Sequence, residues 1–293
     1  MAIINGAMNK SVTGTKFADE IYLLGRADAR GGAGNDVIYG SDGPNFMDGG
    51  AGADFIFGSG SDTLRGGVGD DWLSYSSYVD NGGSTQPSKG VVSGGAGHDV
   101  LELLVSTDAP TAPIEVFMTG ESVGRVTIEG QPKLTFTGIN EIVDSSFPFE
   151  TNGALIYHGE NANTDMTVTA GAYDSIFYGG QGNEVFTGGG GDDSFVFVFK
   201  EGGMGYDRIS GFGQYTGPAN PYENGFDTIS FQGASERLTT IQTEFPVAPS
   251  PDFPEQYQGF TRYQSYYSDG TLAHTLDVDS IGLPPIDHDI LIA

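Results

Sequence analysis

The sequence predicts an all-β chain, a parallel roll or solenoid in which short strands stack as successive coils. Three observations predict it. A nine-residue phrase recurs without spacers between Gly31 and Ser74: GGAGNDVIY (31–39), GSDGPNFMD (40–48), GGAGADFIF (49–57), the shortened GSGSDTLR (58–65) and GGVGDDWLS (66–74). The phrase returns as GGAGHDVLE (94–102), GGQGNEVFT (179–187) and GGGGDDSFV (188–196). Each copy keeps one apolar residue at the same offset, which is the signature of a repeat architecture.

Each unit reads G-G-x-G-x-D-x-U-x, with U apolar. The first six positions make a turn and the last three a short strand. Paired glycines admit φ > 0 and let one turn lie close on the next. Strand geometry alternates side chains between faces, so one side chain per unit points inward. Those residues are Ile38, Met47, Ile56, Leu64, Leu73, Leu101, Phe186 and Phe195.

Two units make one coil, so each turn stacks on the turn two units later. Asp36 and Asp54 lie 18 residues apart, and Asp54 and Asp71 lie 17 apart. The first array therefore has two unequal edges. One carries Asp36, Asp54 and Asp71 on intact turns. The other carries Asn45, preceded by Pro44, and Asp62 in the shortened unit. Turn carbonyls together with an Asp oxygen form an all-oxygen ligand set, which suits Ca²⁺. The first edge is expected to hold well-formed ions, and the second one weak site at most. A flexible Gly/Ser linker would not keep a carboxylate and an apolar residue at fixed offsets.

These residues resemble the RTX family of hemolysin-type calcium-binding nonapeptide proteins. The resemblance implies a right-handed parallel β-roll. It also implies one ion between turns 31–36 and 49–54, held by Asp36, Asp54 and the carbonyls of Gly31, Ala33, Gly50 and Gly52. A second ion would use Gly49, Ala51, Gly67, Gly69 and Asp71. Asn45, Asp62, Asp99, Asp165, Asp174, Glu184 and Asp193 are the remaining candidate ligands, and stackable turns suggest about four to eight ions. Asp165 precedes Glu184, and Asp174 precedes Asp193, by nineteen residues, which reads as degraded coils beneath better ones.

Composition fits. Acidic residues number 39 against 12 basic, a net charge of −27, which excludes a nucleic-acid partner. Carboxylates facing one another across stacked turns repel by about 1 kcal/mol per pair at ~4 Å even in water. Calcium reverses that sign. Cysteine is absent, so a secreted form would depend on metal rather than on disulfides. No apolar run is long enough for a membrane span, and residues 1–17 show no apolar signal-peptide region. The tail, Asp287-His288-Asp289 before Ile290-Leu291-Ile292-Ala293, resembles the uncleaved signal that a type I exporter reads on RTX proteins.

Along the chain, residues 1–102 are read as an N-terminal cap and first roll. Residues 103–158 are read as a β connector continuing the solenoid. Residues 159–232 follow as the second roll with its capping segment, and 233–293 as an aromatic, Pro-rich C-terminal cap carrying the secretion signal. Residues 206–212 and 226–232 share a D-x-I pattern. Residues 260–278 suggest a hairpin about Asp269-Gly270. The aromatic run Tyr257, Phe260, Tyr263, Tyr266, Tyr267 is read as cover for the end of the solenoid rather than as a sugar-binding strip.

The catalytic inventory is poor. His98, His158, His274 and His288 are scattered, no HExxH or GxSxG motif occurs, and the G-x-G-x-x-G look-alikes belong to the nonapeptides. His98, Asp70 and Asp192 occupy the free fifth position and are expected to face water. The first clear repeat begins at residue 31, which leaves no room before it for a catalytic domain within this chain. The expectation is a secreted, non-catalytic, calcium-loaded protein of the cell surface or matrix. Its partners would be copies of itself or a surface polysaccharide. Two other readings are an extracellular lyase or epimerase acting on acidic polysaccharide, and a membrane-active effector. A lined-up Tyr, a basic residue and a carboxylate on one solenoid face would favour the former.

Overall fold

The structure, a computed structural model, describes residues 1–79, 89–107, 113–146, 154–163, 165–198, 205–214, 227–232, 239–246, 258–266, 270–282 and 290–292. The chain forms two compact units, Met1–Gly153 and Ala154–Ala293. All regular structure among the described residues is β, as the repeat period predicts.

In the first unit one sheet runs β1 (Ile3–Asn5), β3 (Glu20–Tyr22), β5 (Val37–Tyr39), β7 (Phe55–Ser59), β9 (Trp72–Val79), β11 (Val100–Thr107) and β15 (Glu141–Asp144), all parallel. The facing sheet begins β2 (Val12–Thr13), β4 (Asp28–Ala33), β6 (Phe46–Ala51), β8 (Thr63–Val68) and β10 (Gly90–Ala96), also parallel. The chain alternates between sheets, one strand to each per coil, which is the β-roll. The pattern changes after β10. It pairs in parallel with β14 (Gln131–Thr137), and β13 (Val123–Ile128) and β12 (Ile114–Gly120) follow in an antiparallel meander. A stretch of ordinary alternating β sequence is thus joined to the edge of the roll's sheet.

Register aligns the apolar position of every unit. Ile21, Ile38, Ile56, Leu73, Leu101 and Ile142 are successive partners, as are Ala29, Met47, Leu64, Val92 and Phe136. All eight inward residues expected from the repeats are fully buried. Glycine alignment is equally strict: Gly32, Gly50, Gly67 and Gly95 pair in one row, each with φ between 110° and 125°. A Cβ at Gly50 would come closer than 3.0 Å to the carbonyl oxygen of Gly32. On the outer face Tyr22, Tyr39 and Phe57 stack at centroid spacings of 4.8 and 5.0 Å, about the separation of hydrogen-bonded strands.

The second unit repeats the plan with a more aromatic core. One sheet contains β16 (Leu155–His158), β18 (Ile176–Gly179), β20 (Ser194–Val198), β22 (Thr228–Gln232) and β26 (Ile290–Ile292), all parallel. The other contains β17 (Met166–Thr169), β19 (Glu184–Thr187), β21 (Tyr206–Gln214) and β25 (Leu272–Gly282) in parallel. To β25 are added antiparallel β24 (Gln258–Tyr266) and β23 (Thr239–Pro246). The hairpin expected over 260–278 is the β24–β25 pair, although residues 267–269 of its turn lie outside the described residues. Phe177, Phe186, Phe195, Phe197 and Phe212 are fully buried between the sheets. Tyr263 of the aromatic run is also buried. Tyr257, Tyr267 and the Asp287-His288-Asp289 part of the tail lie outside the described residues.

Candidate metal centre

The repeat turns that lead into β5, β7, β9 and β11 place Asp36, Asp54, Asp71 and Asp99 one above another, each at most 1% exposed. The main-chain N–H of Asp36 donates to Oδ1 of Asp54 (2.7 Å), Asp54 to Asp71 (2.9 Å), and Asp71 to Asp99 (3.0 Å). The ladder extends at both ends, with Asp19 donating to Oδ1 of Asp36 and Asp99 to Oδ1 of Asn140. One carboxylate oxygen of each residue thus ties two coils together.

The other oxygen has no such role. Among the described residues, Oδ2 of Asp36, Asp54, Asp71 and Asp99 is buried without a hydrogen-bond partner. Each lies against the first glycine of its own turn: Gly31, Gly49, Gly66 and Gly94 respectively. A Cβ at Gly31 would meet both Oδ2 of Asp36 and the carbonyl oxygen of Gly49, the first glycine of the next stacked turn. The same holds at Gly66 with Asp71 and the Gly94 carbonyl, and at Gly94 with Asp99 and the Gly138 carbonyl. Glycine there is required to keep the space open. Among the described residues no three His, Asp or Glu side chains converge on one point, so main-chain carbonyls supply much of any ligand set.

Electrostatics agree. Burial, with neighbouring carboxylates adding to it, pushes the Asp54 carboxyl up to about 6 and that of Asp71 up to about 7. Asp36 and Asp99 move in the same direction, again through burial. An array of buried, unpartnered, mutually repelling carboxylate oxygens facing carbonyl oxygens is satisfied by a hard cation. The residues therefore fit Ca²⁺, which supplies the missing positive charge when bound.

Other candidates are placed as follows. Gly31 and Ala33 end β4, Gly49, Gly50 and Ala51 end β6, and Gly67 lies in β8, with Gly52 and Gly69 just beyond β6 and β8. The carbonyl of Ala51 accepts the N–H of Gly34 (2.7 Å). The resemblance assigned Gly49 to the second ion, whereas the geometry also brings its carbonyl to Asp36. Asn45 and Asp62 are buried on the opposite edge, where Asn45 donates its N–H to Oδ1 of Asp62 (2.7 Å).

In the second unit the stacking register differs from the expected nineteen-residue spacing by one. Met166, not Asp165, lies opposite Glu184, and Ser175, not Asp174, donates to Oδ1 of Asp193 (2.8 Å). Asp165 and Asp174 sit at the exposed fifth position, where their Oδ1 atoms accept the N–H groups of Asn183 and Asp192. The physical reason is the alternation of the strand: Met166 and Val168 take the buried places of β17, which leaves Asp165 outside. Asp70, His98 and Asp192 share that exposed row, as expected, and Asp70 accepts the N–H of His98 (2.8 Å).

Sequence reasoning left four ladder members out of the candidate ligands: Asp19, Asn140, Asp207 and Asp227. Glu184 donates its N–H to Asp207 (2.8 Å), and Asp193 donates to Asp227 (3.0 Å). The D-x-I triplets at 207–209 and 227–229 were the available signal, being the last half of a repeat. Asp207 is closed by an unforeseen partner, since its Oδ2 lies 2.8 Å from Nε2 of buried His274. Burial pushes Glu184 and Asp207 up and holds the His274 imidazole neutral.

Fold and site together define a β-roll of stacked, cation-binding turns. The family model of the RTX calcium-binding nonapeptide repeat matches the chain in four copies, over residues 30–60, 58–74 and 167–195. Over those residues the chain carries RTX calcium-binding nonapeptide repeats. No curated protein matches it.

Proposed function

We propose that this is a secreted RTX protein that folds on binding calcium outside the cell and serves a non-catalytic structural or adhesive role at the cell surface or in extracellular matrix. The observation that carries the reading is the column of buried, unpartnered Oδ2 atoms at Asp36, Asp54, Asp71 and Asp99. A scaffold whose edge is left uncompensated without a cation suits export into a medium where calcium is abundant. Sites of extracellular grade bind at about 10⁻⁴–10⁻³ M and stay empty in the cytosol. We assign the ions of the first unit to these four aspartates and the glycine carbonyls beside them.

The non-catalytic part of the reading is supported by burial. Asp207 and His274, an acid–imidazole pair, are at most 1% exposed, which closes them to substrate. Outward-facing apolar side chains, among them Phe55 and Val68, favour self-association or adhesion. No helix of the described residues is long and apolar enough to cross a membrane. The test is size-exclusion chromatography and electron microscopy of the full chain with and without millimolar calcium, beside retention on the producing cell's surface. Calcium-dependent assembly or retention is expected. A monodisperse monomer that the surface does not hold would overturn the structural role.

A further inference from the structure

The second edge of the first unit resolves its charges without an ion cradle. Asn45 is 3% exposed and stands where the other edge has aspartate. Its Oδ1 accepts the N–H of Ala27 (3.0 Å). Its Nδ2 donates to the carbonyl oxygens of Ser41 (2.7 Å) and Gly43 (2.9 Å) and lies 3.3 Å from Oδ1 of Asp62. This orientation is set by chemistry, because the Ala27 N–H requires an acceptor and the two carbonyls require a donor. Asp62 is satisfied as well. Its Oδ1 accepts the Asn45 N–H, its Oδ2 accepts the N–H of Ser59 (2.8 Å), and its own N–H returns to the Ser59 carbonyl (3.1 Å). These bonds close the turn 59–62 within the shortened unit 58–65.

We infer that the Asn45 amide group stands in the place of a calcium ion, so that the turn 40–45 is a built-in rung needing no metal. The inference rests on the calcium reading of the other edge. Two carbonyl oxygens converging on one side-chain atom need positive charge between them. On the Asp36–Asp99 edge a cation supplies it, and here the two amide hydrogens do. Aspartate has nearly the same shape as asparagine but carries oxygen where asparagine carries NH₂. Asn45→Asp would set a carboxylate oxygen against the Ser41 and Gly43 carbonyls with no hydrogen among them. That arrangement is again a cation site. One atom therefore decides whether this rung carries an ion, and in the calcium-free protein this edge stays closed while the opposite edge repels itself.

The test counts calcium per chain by native mass spectrometry and equilibrium dialysis on the full protein, comparing wild type, Asn45→Asp and Asn45→Ala. Asn45→Asp is expected to bind one ion more than wild type. Asn45→Ala is expected to bind the same number as wild type, with a lower thermal midpoint that added calcium does not restore. An ion lost in Asn45→Ala would make Asn45 a ligand and overturn the inference, as would an unchanged count in folded Asn45→Asp. If Asn45→Asp fails to fold, the Asn45→Ala count decides alone. Wild type binding no calcium would instead overturn the reading of the repeats themselves.

Discussion

Asp36 and Asp54 are joined across one coil by the N–H of the first and Oδ1 of the second, 2.7 Å apart, while Oδ2 of Asp54 lies buried with no partner. This contact divides the labour of each carboxylate. One oxygen replaces a strand-to-strand hydrogen bond at the turn, where the backbone has left the sheet. The other has no hydrogen-bond partner among the described residues and, on the assignment proposed above, would face a cation. Loss of the side chain therefore damages the roll twice.

Asp54→Asn keeps an oxygen for Asp36 but removes the charge, whereas Asp54→Ala removes both. Calcium affinity is expected to fall by about tenfold or more in each, the lower end of what even outer-shell partners of a metal contribute. Only Asp54→Ala should also lose the about 1.5–3 kcal/mol of a hydrogen bond to a charged group. Asp62→Ala should leave calcium-dependent circular dichroism close to wild type. Equal effects at positions 54 and 62 would contradict the assignment of edges.

Acid should act in opposite senses on the two forms. Unfolded aspartate titrates near 3.9, while burial raises Asp54 to about 6, Asp71 to about 7 and Asp193 to about 8. Without calcium the folded state thus binds more protons than the unfolded one. Its stability is fullest below about pH 4 and is lost as pH rises through about 6 to 8. With calcium bound the folded state keeps these carboxylates charged, so its stability is level through this window and declines only as pH falls toward about 4, where unfolded aspartate takes up protons. Thermal midpoints across this range, with and without calcium, would show the crossing. A calcium-free protein more stable at pH 8 than at pH 5 would refute it.

Glycine substitutions separate backbone freedom from cradle space. Gly60 has φ 59° and open space around it, so Gly60→Ala is expected to cost about 1–2 kcal/mol. Gly50 has φ 110° and the Gly32 carbonyl in the way, so Gly50→Ala should cost about 3 kcal/mol or more and resist rescue by calcium. Gly31→Ala should instead abolish binding at the Asp36 pocket. Urea titrations at saturating calcium, beside ion counts, distinguish the three.

Tyr39 is sandwiched between Tyr22 and Phe57, the three rings almost parallel. Their faces are turned toward one another along the stack, so the column is a stabilising ladder rather than a platform for sugar rings. Tyr39→Ala is expected to cost about 1–3 kcal/mol of stability, two stacked pairs, with an unchanged ion count. Denaturation and native mass spectrometry read the two quantities separately.

Calcium itself is the largest lever. Each site filled at a hundred times its dissociation constant contributes about 2.7 kcal/mol. With several sites along one edge, chelation is expected to abolish most far-UV β signal, and dilution of the chelator by calcium to restore it. A chelated protein with native circular dichroism would mean that the scaffold stands without metal.

The repeat period alone determined the roll, the alternation between two sheets, the inward residues from Ile38 to Phe195 and the edge bearing Asp36, Asp54 and Asp71. It did so because every unit repeats the same local rule, and a rule obeyed nine residues at a time needs no distant partner to be read. What the tertiary structure alone decided lies where units depart from that rule. A one-residue shift moved Asp165 and Asp174 to the water-facing row and set Met166 and Ser175 in their place. Asp207 gained His274, 67 residues away, as its partner. Asn45 turned its amide nitrogen to the carbonyls of Ser41 and Gly43. These outcomes depend on which hydrogen-bond donor or buried side chain reaches a turn through space, and chain spacing carries no record of that.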